Sequence, residues 1–277
     1  MRAAELAAVL RLDAGELRRS RWLWLCLLLY GVLAAGFVLV GLRESSVLGF
    51  TGIGRVLFSL CHALVLVLPL LALLATVQAV NRAREDGSLE LLLSHPIGRG
   101  AFLIGVTLVR LAALGVPLVL VMGALGVAAG LQGQPVPWRF LARAVAVCAA
   151  LLAAYVGIGL AVSVRVRNPA RAMTLVFLIW AASVALLDLA GIGLLLQWRL
   201  PAHGVFALAA ANPVQAARLA LLSAAEPTLA TLGPVGFYLA NRVGAPALLG
   251  LGLAWPLAVG AGAWAFGWAG FRRGDLV

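Results

Sequence analysis

The chain has 277 residues, of which 64% are hydrophobic and 11% are charged, whereas about a quarter of an average soluble domain is charged. This composition excludes a water-soluble fold, and several apolar runs reach the length of ~18 residues that predicts a membrane-spanning helix. The net charge of +11 does not indicate nucleic-acid binding, because the arginines flank the apolar runs instead of forming one basic face.

A polar, amphipathic segment precedes the first apolar run. Residues 2–21 place alanine and leucine side chains at helical spacing, with charged side chains at the other positions. This pattern predicts an amphipathic helix on the cytoplasmic membrane surface, and a solvated leader that ends in a positive flank is the alternative. The apolar run that follows is long enough to span and lacks a small-residue cleavage site, so we expect it to remain as an anchor.

Six apolar segments are long enough to cross a membrane, and the sequence is interpreted as a single domain over residues 1–277. The predicted spans cover residues 22–42, 56–80, 101–130, 140–164, 172–196 and 247–270. Apolar and polar residues do not alternate within them, as they would in the strands of a membrane barrel. The predicted fold class is therefore an all-α membrane protein with six transmembrane helices.

The arginines predict the orientation of these spans. If the N-terminus is cytoplasmic, thirteen arginines lie on that side, seven lie on the opposite side, and Arg110 lies inside a span. The positive-inside rule then predicts that both termini are cytoplasmic, and the absence of lysine, typical of a GC-rich genome, favours a bacterial inner membrane. The connection 197–246 becomes extracytoplasmic. Within it, Asn212 followed by Pro213 predicts a capped short helix that ends near Ser223.

The cytoplasmic stretch between the second and third spans is the most informative polar segment. Ser88 predicts the start of a helix with Glu90 in its first turn, and Pro96 predicts its end. Its apolar face consists of Leu89, Leu92 and Leu93. A helix of about two turns has little reason to stand alone in water, so we expect its leucines to dock into a groove of a cytoplasmic partner. The alternative is an interfacial helix that only orients the protein.

Two segments resemble a known family. The run Arg84-Glu-Asp-Gly-Ser-Leu-Glu-Leu-Leu-Leu-Ser-His-Pro-Ile-Gly-Arg99 resembles the E-x-G-[TS]-L-E-L-L-L-[ST]-x-P-[VI]-x-R signature of type-2 ABC transporter permeases. The lead-in Glu16-Leu-Arg-Arg-Ser-Arg-Trp22 is similar to the elbow helix that opens those subunits. The outer connection with Asn212-Pro-Val-Gln-Ala-Ala-Arg-Leu219 looks most like the permease of the nitrous oxide reductase maturation system, which assembles a copper site.

The resemblance implies a homodimer that binds two separate cytoplasmic ABC ATPase subunits. ATP and Mg would then bind in the partner, so this chain is expected to hold no cofactor and not to be an enzyme. Residues 2–21 would form the elbow helix, and residues 82–99 would form a coupling segment that passes ATP-driven closure to the spans. The residues assigned to this coupling are Arg84, Glu85, Gly87, Ser88, Leu89, Glu90, Leu92, Leu93 and Pro96.

The resemblance leaves the cargo open. Besides membrane lipids, a periplasmic protein is an expected partner, with Asn212, Pro213 and Arg218 as candidate contacts. The permease would transport a small sulfur or copper-related species, or it would only transmit force to that protein. A generic type-2 exporter of a lipid, drug or other small molecule and a non-transporting membrane scaffold are the alternatives.

Polar residues inside the spans are candidates for a substrate site. Asp188 is costly in hydrocarbon and needs a partner or water. His62 is predicted at a similar depth and is the preferred partner, whereas Arg110 lies lower but is long enough to reach part of the gap. The alternative is that these groups only join helices by hydrogen bonds. No catalytic motif and no metal-ligand spacing is present in the sequence, which disfavours an intramembrane enzyme.

Overall fold

The computed structural model describes residues 3–19, 21–41, 53–94, 97–131, 133–186, 210–226 and 241–273. All regular structure in these segments is helical. The helices, numbered in chain order, are α1 (Ala3–Arg19), α2 (Arg21–Gly41), α3 (Ile53–Thr76), α4 (Ala79–Glu85), α5 (Ser88–Ser94), α6 (Arg99–Leu131), α7 (Trp138–Arg165), α8 (Pro169–Ala181), α9 (Pro213–Ala225) and α10 (Ala245–Arg273). A π-helical turn, Ala182–Leu186, continues α8.

Four helices in the described part of the chain are long and apolar enough to cross a membrane. They are Val56–Glu85, which joins α3 and α4, together with α6, α7 and α10. The bent pair α1 and α2, whose axes differ by 64°, makes a fifth if it is one broken span. The predicted span 172–196 is described only to residue 186, where α8 is a shorter apolar helix. Six spans therefore stay a prediction.

The helix bounds refine the predicted spans. α6, α7 and α10 each enclose the predicted segment and extend it by one to three residues at either end. The predicted span 56–80 lies within the spanning helix Val56–Glu85, in which a turn separates α3, ending at Thr76, from α4, beginning at Ala79. α6 continues through Pro117 without interruption. A bilayer forces backbone groups to bond within their own helix, which explains why hydropathy alone located these elements.

α7 is the central helix of the bundle. Most of its residues are buried, from Phe140 to Val164, and it packs against α10, α3, α6 and α9. Its contact with α10 depends on glycine. A Cβ at Gly260 would lie 2.7 Å from the Cα of Ala154, and one at Gly267 would lie 2.9 Å from the Cα of Ala161. The two backbones therefore approach each other directly, as small residues allow in membrane helices.

α9 is the helix predicted within the outer connection. The Asn212 side chain accepts a hydrogen bond from the backbone N–H of Val214, and Pro213 occupies the first turn, as the sequence indicated. The helix is not a surface element, however, because it packs on α10, α7 and α3. A Cβ at Gly252 of α10 would lie 2.8 Å from the carbonyl oxygen of Ala216. α9 is therefore part of the bundle core.

α1 packs along α6 and does not stand free. Val9 of α1 is 2% exposed, and its side chain fits against Gly105 of α6, where a Cβ would overlap Cγ1 of Val9. The amphipathic helix predicted for residues 2–21 thus packs one face against α6 and exposes the other. At the same end of the bundle, Arg99 donates hydrogen bonds to the carbonyl oxygens of Phe271 and Arg272, which joins the start of α6 to the end of α10.

Candidate functional site

The predicted coupling segment forms two short helices, α4 and α5, joined by a tight turn. Gly87 has φ +67°, a left-handed conformation that glycine adopts at little cost. The Ser88 hydroxyl, which the sequence predicted as a helix cap, instead donates to the carbonyl oxygen of Ala83 at 3.3 Å. This bond ties the start of α5 back to α4. Pro96 lies outside the described residues.

The segment is bound to the end of α7. The guanidinium of Arg84 donates from both terminal nitrogens to the carbonyl oxygen of Val164, at 3.2 and 3.3 Å. The backbone N–H of Val80 donates to the Ser163 hydroxyl at 3.0 Å. Carbonyls in the last turn of a helix lack partners within it, and a cation there is favoured by the helix dipole. These hydrogen bonds therefore join α4 to the end of α7.

The leucine face of α5 points into this chain instead of toward a partner. Leu89 is 1% exposed, and Leu92 and Leu93 are half-buried against the same core. A partner-docking role for the side chain of Leu89 is therefore wrong, because its surface is already covered. Leu91, which the sequence analysis did not select, is 67% exposed. A helix of two turns needs one apolar face to bind its own bundle. The sequence analysis assigned that face to a partner and therefore did not select Leu91.

The exposed side of the coupling segment combines Leu91 with acidic side chains. Glu85 precedes the turn and Glu90 adjoins Leu91, and both are exposed. Ser88 and Ser94 are exposed as well, although the Ser94 hydroxyl donates to the carbonyl oxygen of Leu91 at 2.7 Å. The segment thus has one face bonded to the bundle and an opposite face available to another chain.

The polar residues predicted inside the spans do not all meet. Asp188 lies outside the described residues. A ring nitrogen of His62 lies 3.1 Å from the carbonyl oxygen of Phe58, one helical turn earlier, and the two rings are 4.3 Å apart. Arg218, predicted as an outer contact, lies on α9, and α9 packs on α3, the helix that carries His62.

Arg110 has a different partner from the predicted one. Its terminal nitrogen donates to Oδ1 of Asp13 in α1 at 3.1 Å. The two side chains are 12% and 11% exposed, and burial raises the pKa of the Asp13 carboxyl despite the attraction of Arg110. Arg110 is therefore bound to α1, and its grouping with Asp188, which lies outside the described residues, stays a prediction. Sequence spacing gave no signal for this pair, because 97 residues separate its members.

The predicted outer contacts also need correction. Asn212 is 3% exposed, and its side-chain nitrogen donates to the backbone carbonyl of Ser183 while its oxygen caps α9. It is buried within this chain and cannot contact a periplasmic protein. Pro213 is half-buried at the start of the same helix. Asn212 therefore positions α9, joining it to the π-helical turn after α8.

The sequence matches the ABC-2 family transporter proteins over residues 7–267. This match covers nearly the whole chain, so the chain belongs to that family, a class of multi-pass membrane permease subunits of ABC transporters. The type-2 ABC permease predicted from the coupling signature is thereby confirmed. Permeases of this family partner ABC ATPase subunits.

Two curated proteins are similar to part of this chain. Both are named probable ABC transporter permease protein NosY, one from Stutzerimonas stutzeri and one from Pseudomonas aeruginosa. The first is 39% identical and the second 34% identical, each over 97 residues. The alignments cover 35% of this chain, and the chain spans about a third, 35%, of the length of each relative.

Proposed function

We propose that this chain is the permease of an ATP-driven complex in which cytoplasmic ATPase subunits dock on α4 and α5. The observation that carries the proposal is the two-sided coupling segment. Arg84 and Leu89 hold one side to the bundle, and Leu91 is 67% exposed on the other. An exposed leucine beside Glu85 and Glu90 suits a partner groove that has an apolar floor and a basic rim.

Movement of the docked ATPase would enter the membrane through α7. The hydrogen bonds of Arg84 to Val164 and of Val80 to Ser163 connect the coupling segment to the last turn of this helix. α7 in turn contacts the backbone of α10 at Gly260 and Gly267. Close-packed backbones cannot absorb a displacement by side-chain rearrangement, so α7 and α10 would move as one unit.

The complex is proposed to contain two copies of this chain and two ATPase subunits in a bacterial inner membrane, with both termini cytoplasmic. ATP and Mg would bind in the ATPase, and this chain would carry no catalytic residue. The likeness to relatives named NosY supports a narrower proposal, namely a role in copper-site maturation of nitrous oxide reductase with a periplasmic partner. A generic exporter that uses the same coupling segment is the alternative.

Co-purification of the ATPase tests the docking surface. We expect Leu91→Asp to abolish recovery of the ATPase with the permease, because a carboxylate would enter an apolar contact. Leu131→Asp is the matched control, since Leu131 is 85% exposed at the far end of α6 and should leave recovery unchanged. An intact complex with Leu91→Asp would refute docking at this surface. Gel filtration of both variants separates lost docking from lost folding.

The copper-related role requires a different measurement. Deletion of the gene in a host that makes nitrous oxide reductase is expected to yield reductase lacking its normal copper content, measured by metal analysis and its absorption spectrum. Complementation with the unaltered chain should restore both, and Leu91→Asp should not. Normal copper content in the deletion strain would overturn the maturation role while leaving the ATPase-docking result intact.

A further inference from the structure

An open groove of about 1300 Å³ separates α1 from α4 and α5 at the arginine-rich end of the bundle. Its inner walls come from α3, α6 and α8. Pockets for small molecules have volumes of ~300–1,000 Å³, so this groove has room for a larger ligand. Ser88, Leu89 and Leu92 of the coupling segment are part of its lining, but their contacts with the bundle leave this volume open.

The groove has two chemically different parts. Toward the spans, its lining consists of apolar side chains that include Leu25, Leu74 and Phe177. Leu25 of α2 is 50% exposed and Phe177 of α8 is 45% exposed, so this part is open at the lipid-facing surface of both helices. The mouth is charged, with side chains from α1 on one wall and from α4 and the following turn on the other. Its charged residues are Arg11, Glu16, Arg19, Arg82 and Asp86.

These mouth charges form no ion pair with one another within the described part of the chain. The ion pair found there is Arg110 with Asp13, deeper in the same groove. Arg82 uses Nε to donate to Oε1 of Gln78 at 2.9 Å, which leaves its two terminal nitrogens without a described partner. The groove mouth therefore presents guanidinium groups and carboxylates together, and none lies within 4 Å of an opposite charge among the described residues.

The α1 wall has an open space between two of these arginines. Arg11, Gly15 and Arg19 follow one another at intervals of four residues, which places them along one face of the helix. A Cβ at Gly15 would meet nothing within 4 Å, so the space between the two arginines is open. Glu16 lies beside Gly15 on the same wall.

We infer that this groove binds an aminophospholipid of the cytoplasmic leaflet, with its acyl chains along Leu25 and Phe177 and its headgroup at the mouth. The phosphate contacts the arginines, and the primary ammonium donates hydrogen bonds to Glu16 and Asp86. A phosphatidylglycerol headgroup has no ammonium to pair with the carboxylates, and a choline headgroup offers them no N–H donor. Because α4 forms one wall, the bound lipid connects the coupling segment to α1.

Lipid retention by the purified full-length chain tests this assignment. The chain is equilibrated in detergent with equal amounts of phosphatidylethanolamine, phosphatidylcholine and phosphatidylglycerol of identical acyl chains, and the bound lipid is measured by native mass spectrometry. We expect phosphatidylethanolamine to be retained about two- to fivefold over either competitor, the range that solvent-exposed ion pairs provide. Equal retention of the three lipids, or preference for phosphatidylglycerol or phosphatidylcholine, overturns the assignment.

Charge variants identify the two halves of the headgroup site. Arg82→Gln, with Arg19→Gln as an independent second variant, should lower retention of phosphatidylethanolamine and phosphatidylglycerol alike. The double variant Glu16→Gln/Asp86→Asn should reduce phosphatidylethanolamine to the level of phosphatidylcholine without lowering phosphatidylglycerol. Arg143→Gln, an exposed arginine of α7 that does not line the groove, is the control. Unchanged lipid preference in the carboxylate variant contradicts the proposed ammonium contact.

Discussion

The contact of α7 with α10 and the contact of α1 with α6 bind helices by opposite means. The first brings two backbones together, since a Cβ at Gly260 would lie 2.7 Å from the Cα of Ala154, and its one described charged contact is at the end of α7, where Arg165 donates to the carbonyl oxygen of Phe266 at 3.0 Å. The second combines one glycine notch, occupied by the Val9 side chain, with the ion pair of Asp13 and Arg110. Backbone contact leaves no adjustable part, whereas side chains can change rotamer and an ion pair can separate.

This difference suggests that the α7–α10 contact stabilises the fold, whereas the α1–α6 contact allows α1 to move. The coupling segment is bonded to α7 through Arg84, so under the proposed function a displacement of this segment would reach the closely packed pair of α7 and α10. α1 lies beside the open groove at the same end and is held by contacts that can yield. We expect changes at the glycine contact to affect folding, and changes at the α1 contact to affect α1 alone.

Gly260→Leu should have the largest effect. A leucine side chain has to enter space occupied by the backbone of Ala153 and Ala154, which places the cost at the upper end of the ~1–3 kcal/mol seen for overpacking, or beyond it. We expect little folded protein after purification, measured as the monodisperse fraction in gel filtration. Gly262→Leu is the matched control, because a Cβ there meets nothing within 4 Å. Equal yields of the two variants would contradict backbone contact.

The Asp13 and Arg110 pair should have an intermediate effect. Asp13→Ala leaves the guanidinium of Arg110 buried without its acceptor, so we expect a loss of about 2 kcal/mol, within the ~1–3 kcal/mol cost of an unsatisfied buried group. The double variant Asp13→Ala/Arg110→Met should regain most of it, since replacing a buried pair by apolar side chains is often neutral. Thermal unfolding of the four proteins of the cycle measures both. Additive losses in the double variant would show that the pair does not interact.

The same pair predicts a pH dependence. Burial raises the pKa of Asp13 above its ordinary value of 3.8, so the folded chain binds this proton more readily than the unfolded chain does. The contribution of Asp13 to stability is therefore largest at low pH and is lost as pH rises through its folded pKa. Compared with the double variant, the unaltered chain should lose stability over the range just above pH 3.8. An opposite slope in this comparison would contradict the raised pKa.

Gly105→Ala should have the smallest effect. Its Cβ would overlap only the side chain of Val9, and α1 can move away from α6 without displacing a backbone. We expect a net loss of no more than about 1 kcal/mol, because the gain in helix propensity offsets part of the overlap. Faster proteolysis within α1 is the sensitive measurement. Gly115→Ala is the control, because a Cβ there meets nothing within 4 Å, and it should be neutral or slightly stabilising. Similar proteolysis of the two variants would contradict a close contact between Val9 and Gly105.

The sequence predicted the elements better than their contacts. The capped start at Asn212 and the short helix that begins at Ser88 follow from local rules, and the structure has both helices, although the Ser88 hydroxyl bonds to Ala83 instead of capping its own helix. It did not predict that α9 is buried against α10 or that Leu91 is the exposed leucine of α5. Each of these depends on which neighbour covers a helix face, and a single helix pattern cannot identify that neighbour.

What the sequence determined by itself is a helical membrane protein with a family-specific polar segment between its second and third predicted spans. Apolar windows suffice for this because a bilayer requires each spanning segment to satisfy its own backbone hydrogen bonds. Only the tertiary structure decided that Arg110 pairs with Asp13, that Arg84 binds the end of α7, and that charged and apolar walls enclose one groove. These contacts join residues far apart in sequence, and they exist only where packed helices bring the side chains within a few ångströms.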